Sequence, residues 1–204
     1  MASRPDVSER HRRQREATYR RILDCARELI DDRPWSEVSI ALITEQAGLT
    51  RTAFYKHFPD RKDLLLALFA ELGDELAAIP DPWQHDAGEG DARALLEQSL
   101  RALVETFVQH GRLLQAVAEE AARDRSLLPL YVGLGDRLAA GVGRRIERDI
   151  AAGRTTAIDD PAEVATALVW MNERYLRLRF GFKPLGDPEV AARALTDVWV
   201  RTLY

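Results

Sequence analysis

Residues 39–65 read SIALITEQAGLTRTAFYKHFPDRKDLL. Two short helical segments lie on either side of Gly48. Ile40, Ile43 and Ala47 fall on one face of the first, and Gly48 suits a left-handed residue at its end. Leu49 then plugs the angle between the segments. Thr50 is placed to cap the second, which carries Arg51, Thr52, Phe54, Tyr55, Lys56 and His57. Short helix, glycine turn, short helix is helix-turn-helix geometry, with the second helix disposed toward a DNA major groove. Taken alone, the same corner is compatible with a mere packing unit.

The side chains of the second helix suit nucleic acid. Arg51 can pair bidentately with guanine or clamp a phosphate. Thr50 and Thr52 bring hydroxyls, and Tyr55 and Lys56 sit where a phosphate contact fixes register. His57 reads either as structural or as a phosphate ligand. Phe54 and Phe58 read as core. Lys62 falls in the first turn of the next helix, where free backbone amides also favour phosphate. Upstream, Arg10, His11, Arg12, Arg13 and Arg15 form a basic arm that is either a solvated tail or a contact to the neighbouring backbone or minor groove.

The composition is consistent with such a head on a larger helical body. The 204 residues are 46% hydrophobic, enough for a packed core. No apolar run reaches the length of a membrane span, and the polar, arginine-rich start is no secretory leader. A single cysteine, Cys25, excludes an internal disulfide and reads as a small core residue. These features lead to the expectation of a cytoplasmic protein. Residues 1–63 hold 13 Lys/Arg against 11 Asp/Glu, whereas residues 64–204 hold 16 against 22. A slightly basic head on an acidic body follows.

The rest reads helical, with no run of strand-like alternation. Segments are expected from about Ser8 or Arg15 to Ile30, then at 40–47, 51–57, 61–78, 91–109, 112–124, 127–152, 161–180 and 188–203, about nine in all. Breaks fall at Asp32–Trp35, Ile79–Gly90, Gly153–Asp160 and Gly181–Gly186. Asp160-Pro161 and Asp187-Pro188 each place a capping Asp before a Pro at the first helical position, and Ser126 precedes another long segment. The expected fold is all-α. A three-helix helix-turn-helix domain occupies residues 1–65, and an effector-binding and dimerisation domain occupies 66–204.

The run Thr44–Leu65, with its Ala-Gly turn, Tyr-x-x-Phe and Lys-x-x-Leu spacing, resembles the signature of the TetR family of repressors over roughly residues 15–70. The resemblance implies that Arg51, Thr52, Tyr55 and Lys56 belong to the recognition helix and Lys62 to the phosphate-contacting start of the fourth helix. It implies double-stranded operator DNA as partner and a homodimer formed through the last two helices. More loosely, Glu105-Thr106-Phe107, Ala167–Arg174 and Val198–Tyr204 are similar to the ethionamide-resistance branch of that family. That similarity implies a small, mainly apolar effector near Phe107, Met171, Asn172 and Trp199. Around Leu138 and Gly141 the chain departs from that branch, which has larger aromatic residues there.

Some features stay open on sequence alone. Gly133, Gly135, Gly141 and Gly143 in one helix cost about 1 kcal/mol each against alanine; either close helix approach or room for a ligand offsets this. Trp83, Phe107, Tyr131, Trp170, Tyr175 and Trp199 line a pocket or form core. Val190, Leu195 and Val198 suit a dimer interface or burial within the subunit. Glu173 and Arg174 read as structural ion pairs. No Ser/His/Asp set, metal-ligand cluster or phosphate loop is present, so neither an enzyme nor a cofactor is expected. The expected function is a repressor released from its operator by the effector; a helical scaffold, or an activator without ligand control, is the alternative.

Overall fold

A computed structural model describes residues 7–78, 81–86, 90–155, 158–182 and 185–204. Every regular element among them is helical: α1 (Val7–Asp32), a 3-10 turn (Trp35–Glu37), α2 (Ile40–Gln46), α3 (Arg51–Tyr55), α4 (Arg61–Ala78), α5 (Pro82–His85), α6 (Ala92–Arg123), α7 (Leu128–Ala151), α8 (Pro161–Phe180) and α9 (Pro188–Leu203). The all-α expectation holds. Residues 79–80, 87–89, 156–157 and 183–184, within three of the expected loops, lie outside the described residues. The chain divides into two compact units, Met1–Leu72 and Gly73–Tyr204, with the division inside α4.

In the first unit, α1 buries Ile22, Leu23, Ala26, Leu29 and Ile30 at helical spacing. Cys25 lies on the same side, as a core residue. Ser39 caps α2 by accepting the Leu42 N–H at 3.2 Å. Gly48 has φ +61°, the left-handed turn its position requires. Ile43, Phe54, Phe58, Leu64 and Leu65 close the core. The expected arm is no free tail: α1 starts at Val7, so Arg10 through Arg15 are turns of a helix.

In the second unit, Asp160 and Asp187 cap α8 and α9 through the Glu163 and Glu189 N–H groups. Asp81-Pro82 repeats the device and starts α5, a helix inside an expected loop. Ser126 is not a cap. Its N–H donates to Asp124 Oδ1, and α7 begins after Leu127 without a side-chain cap. The break expected near Gly111 is absent, and α6 runs through it. A Cβ at Gly111 would stand 2.6 Å from the Phe180 carbonyl oxygen, so this glycine admits the end of α8 against α6.

The glycines of α7 differ from one another. At Gly135 a Cβ would fall 2.5 Å from the Trp170 ring, and at Gly143 the backbone of α8 lies at contact distance. At Gly141 the side chain of Gln84 fills the space. Gly133 faces room, with Arg137 Nη1 at 3.9 Å as its nearest neighbour. Close approach accounts for Gly135, whereas at Gly143 an added Cβ would meet α8 only at ordinary contact distance; Leu195 is buried within its own subunit.

Candidate nucleic-acid interface and effector core

α3 is short, and side chains define it. Thr50 Oγ1 accepts the Ala53 N–H at 3.2 Å, and the fully buried Phe54 anchors the helix. Arg51, Thr52, Tyr55 and Lys56, at one-turn spacing, are exposed on the outward side. Tyr55 is 48% exposed, unusual for a large aromatic residue, with its ring edge-on to Phe54. His57 is half-buried, its ring 6.1 Å from that of Tyr19. Burial, then the positive charge of Arg15, hold its imidazole below the ordinary histidine value. Lys62 is half-buried in the first turn of α4. There Asp60 Oδ1 accepts the Asp63 N–H at 2.9 Å, so one amide of that helix start is already used.

One head residue escapes sequence reasoning. The Arg61 guanidinium lies over the Trp35 ring at 4.5 Å. Its Nη1 donates to the Trp35 and Val38 carbonyls at 2.9 and 2.5 Å. It therefore ties the start of α4 to the turn before α2.

In the second unit, Asn172 Oδ1 accepts from Trp199 Nε1 at 3.1 Å, both side chains being buried. An indole N–H only donates, so the carbonyl oxygen of the amide is fixed toward Trp199 and its NH2 points elsewhere. Phe107 is buried on α6 and Met171 half-buried on α8. Trp199 also meets Trp83 edge to face at 5.8 Å.

Two polar networks cross this unit. Arg145 is buried and grips Asp149 with Nε 3.0 Å from both carboxylate oxygens, while Nη1 donates to the Trp83 and Asp86 carbonyls. Tyr204 Oη donates to Asp149 at 2.7 Å and accepts from Trp83 Nε1 at 3.0 Å. Burial and the bond to Asp149 push the Tyr204 hydroxyl up to about 12. Burial alone would raise Asp149, but bonds from Tyr204, Arg145 and Arg154 outweigh it and hold the carboxyl below its usual range. The second network joins three helices. Tyr131 Oη and Arg177 Nε both donate to Glu173 Oε1, and Arg177 Nη1 donates to Gln115 Oε1 at 2.8 Å. Glu173 thus pairs with Arg177 rather than with its neighbour Arg174. The local signals for the first network are the i,i+4 spacing of Arg145 and Asp149 and the nearby Arg154; Trp83, Asp86 and Tyr204 are far away in sequence.

No described helix is long and apolar enough to cross a membrane. The family described as bacterial regulatory proteins, tetR family, matches residues 22–68. The C-terminal domain family of the transcriptional regulator EthR matches residues 96–204. The HTH-type transcriptional regulator EthR of Mycobacterium tuberculosis (strain ATCC 25618 / H37Rv) is 25% identical over 184 residues, 90% of this chain and 85% of that protein. The regulator of the same name from Mycolicibacterium smegmatis is 24% identical over 187 residues, covering 90% and 84%. Among solved structures, the TetR family regulator PfmR from Thermus thermophilus superposes with a TM-score of 0.71 at 20% identity, over 90% of this chain and 99% of that one. A TetR transcription regulator from Haloarcula marismortui gives 0.71 at 14% identity, over 93% and 100%. These relatives are transcription regulators rather than enzymes. With the head and most of the body both matched, the chain belongs to the TetR family of bacterial transcriptional regulators and carries an EthR-type C-terminal domain.

Proposed function

We propose that this regulator is a homodimeric repressor that leaves its operator when a small, mainly apolar effector enters the second unit. The observation that carries the DNA half is the outward row of Arg51, Thr52, Tyr55 and Lys56 on a helix anchored by Phe54 and capped by Thr50. Arg51 reads a base edge, and Thr50, Thr52, Tyr55, Lys56, His57 and Lys62 position the head on phosphates. One short helix reads few bases, so two heads on a two-fold axis supply useful affinity. Exposed Leu178, Val190 and Val198 on α8 and α9 support pairing through those helices.

The effector reading rests on Phe107, Met171, Asn172 and Trp199. Because Asn172 Oδ1 and Trp199 Nε1 satisfy each other, the amide NH2 is the group left to address a ligand acceptor, and Trp199 offers its ring. The effector need only bind the DNA-released state more tightly than the DNA-bound one.

The test starts from duplexes selected from a random pool by the full-length protein. A two-fold symmetric selected site and steep salt dependence are expected. Arg51→Ala should lose about 1–3 kcal/mol of affinity and relax specificity at one position, with unchanged thermal stability. A panel of neutral apolar compounds of graded length, titrated into the complex, should release DNA at saturation. Full DNA affinity with every compound that raises the melting temperature would remove ligand control.

A further inference from the structure

We propose that the groove between α1 and the end of α3 is a phosphodiester site, which seats a backbone phosphate of duplex DNA and holds the protein on DNA of any sequence. The proposal rests on the DNA-binding reading above and adds a contact that α1 makes as a rigid element. The groove has a volume of about 530 Å³ and is lined by His11, Arg15 and Thr18 of α1 together with Ala53, Lys56 and His57. No Asp or Glu is among its lining residues. Two fixed cations and two imidazoles therefore face one space, which is the donor set an anionic oxygen requires.

Two other arginines of α1 are already engaged. Arg13 is engaged by Glu9 at 2.6 Å and Arg20 by Glu16 at 3.2 Å. Arg15 and Lys56 have no ion-pair partner among the described residues, and both are exposed. Glu16, the carboxylate whose charge bears on His57, is committed to Arg20. The walls are held. Tyr19 stacks on Phe58 at 5.1 Å and sets the His57 ring from behind. The Ala53 methyl leaves the floor open where a longer side chain would fill it. Because α1 is helical from Val7, the backbone that carries His11 and Arg15 is ordered before DNA arrives, and only side chains need ordering on binding.

A phosphate contact carries no base information, so its loss is uniform across sequences and lowers the salt dependence of binding. The experiment measures affinity against salt for the full-length protein on a selected duplex and on a scrambled duplex of the same composition. Arg15→Gln and Lys56→Gln are expected to weaken both duplexes by the same factor. Each should reduce the slope of log affinity against log salt by about 0.9. Ala53→Met, which fills the groove without changing charge, should weaken both duplexes equally as well. An unchanged slope in the glutamine variants overturns the proposal. So does a loss confined to the selected duplex, because the groove would then read bases. A wild-type protein that selects no duplex would defeat the operator reading, while the slope on scrambled DNA would still decide the groove.

Discussion

Trp199 Nε1 donates to Asn172 Oδ1 at 3.1 Å, joining α9 to α8 through two buried side chains. Removing the acceptor alone strands a buried donor, whereas removing both ends need not. Asn172→Leu should therefore destabilise the protein by about 1–3 kcal/mol. Trp199→Phe in the same background should cost less than the two single changes summed. Chemical denaturation of the four proteins of the cycle measures the difference. Additive effects would mean that the bond contributes nothing to stability.

The sequence makes some of this fold readable and hides the rest for physical reasons. The starts of α8 and α9 are legible because an Asp cap and a Pro at the first position are local chemistry. Asp81-Pro82 carries the same signal, but it sits among Pro, Asp and Gly residues that together read as loop. The gap expected between residues 109 and 112 is absent, and the purpose of Gly111, room for the Phe180 carbonyl, is a tertiary fact with no local trace. The outward face of α3 is legible from the glycine turn and the Thr50 cap. The clamp of Arg61 on Trp35 is not, since the two are brought together only when α4 returns to the turn before α2. In the second unit, Trp83, Arg145 and Tyr204 converge from three helices or their ends, and no periodicity reports it.

The glycines give opposite predictions within one unit. Gly133→Ala meets no atom closer than Arg137 Nη1 at 3.9 Å, so alanine's better helix propensity should stabilise the protein by up to about 1 kcal/mol. Gly111→Ala drives a methyl into the Phe180 carbonyl, which is backbone and cannot swing aside. That change should cost about 1–3 kcal/mol as an overpacked core does. Melting temperatures of the two variants should move in opposite directions; a shared direction would refute the assignment of Gly111 to close packing.

Arg145 and Asp149 form a buried pair whose halves cannot be removed singly without leaving a charge in the core. Arg145→Met should cost about 3–5 kcal/mol, and pairing it with Asp149→Leu should recover part of that loss. The pH dependence has a definite sign. Asp149 is held below the usual carboxylate range, so the folded protein binds this proton less tightly than the unfolded chain does. Its contribution to stability is complete above the unfolded value of about 3.9 and is lost as pH falls through the folded value. In Asp149→Asn the acid limb of the stability curve should be shallower. An acid limb identical to that of the wild type would show that Asp149 titrates like an ordinary exposed carboxylate.

His57 couples the proposed phosphate groove to pH, and with opposite signs for folding and for DNA binding. Arg15 and Lys56 face it and lower its proton affinity, Glu16 raises it, His11 shares the groove, and Tyr19 covers its back. Burial and the two cations leave it below the ordinary value of about 6.5 in the free protein. Its stability contribution is therefore present above that value and declines as pH falls through the folded one. A DNA phosphate in the groove adds a negative charge beside the ring and favours the protonated form. Binding should then take up a proton, and affinity for a scrambled duplex should rise as pH is lowered from about 8 toward 6 at constant ionic strength. His57→Gln should flatten that rise, with His11→Gln as the control for the second imidazole. If wild type and His57→Gln show the same pH profile of DNA affinity while their melting temperatures diverge in acid, the imidazole supports the head and does not face the phosphate.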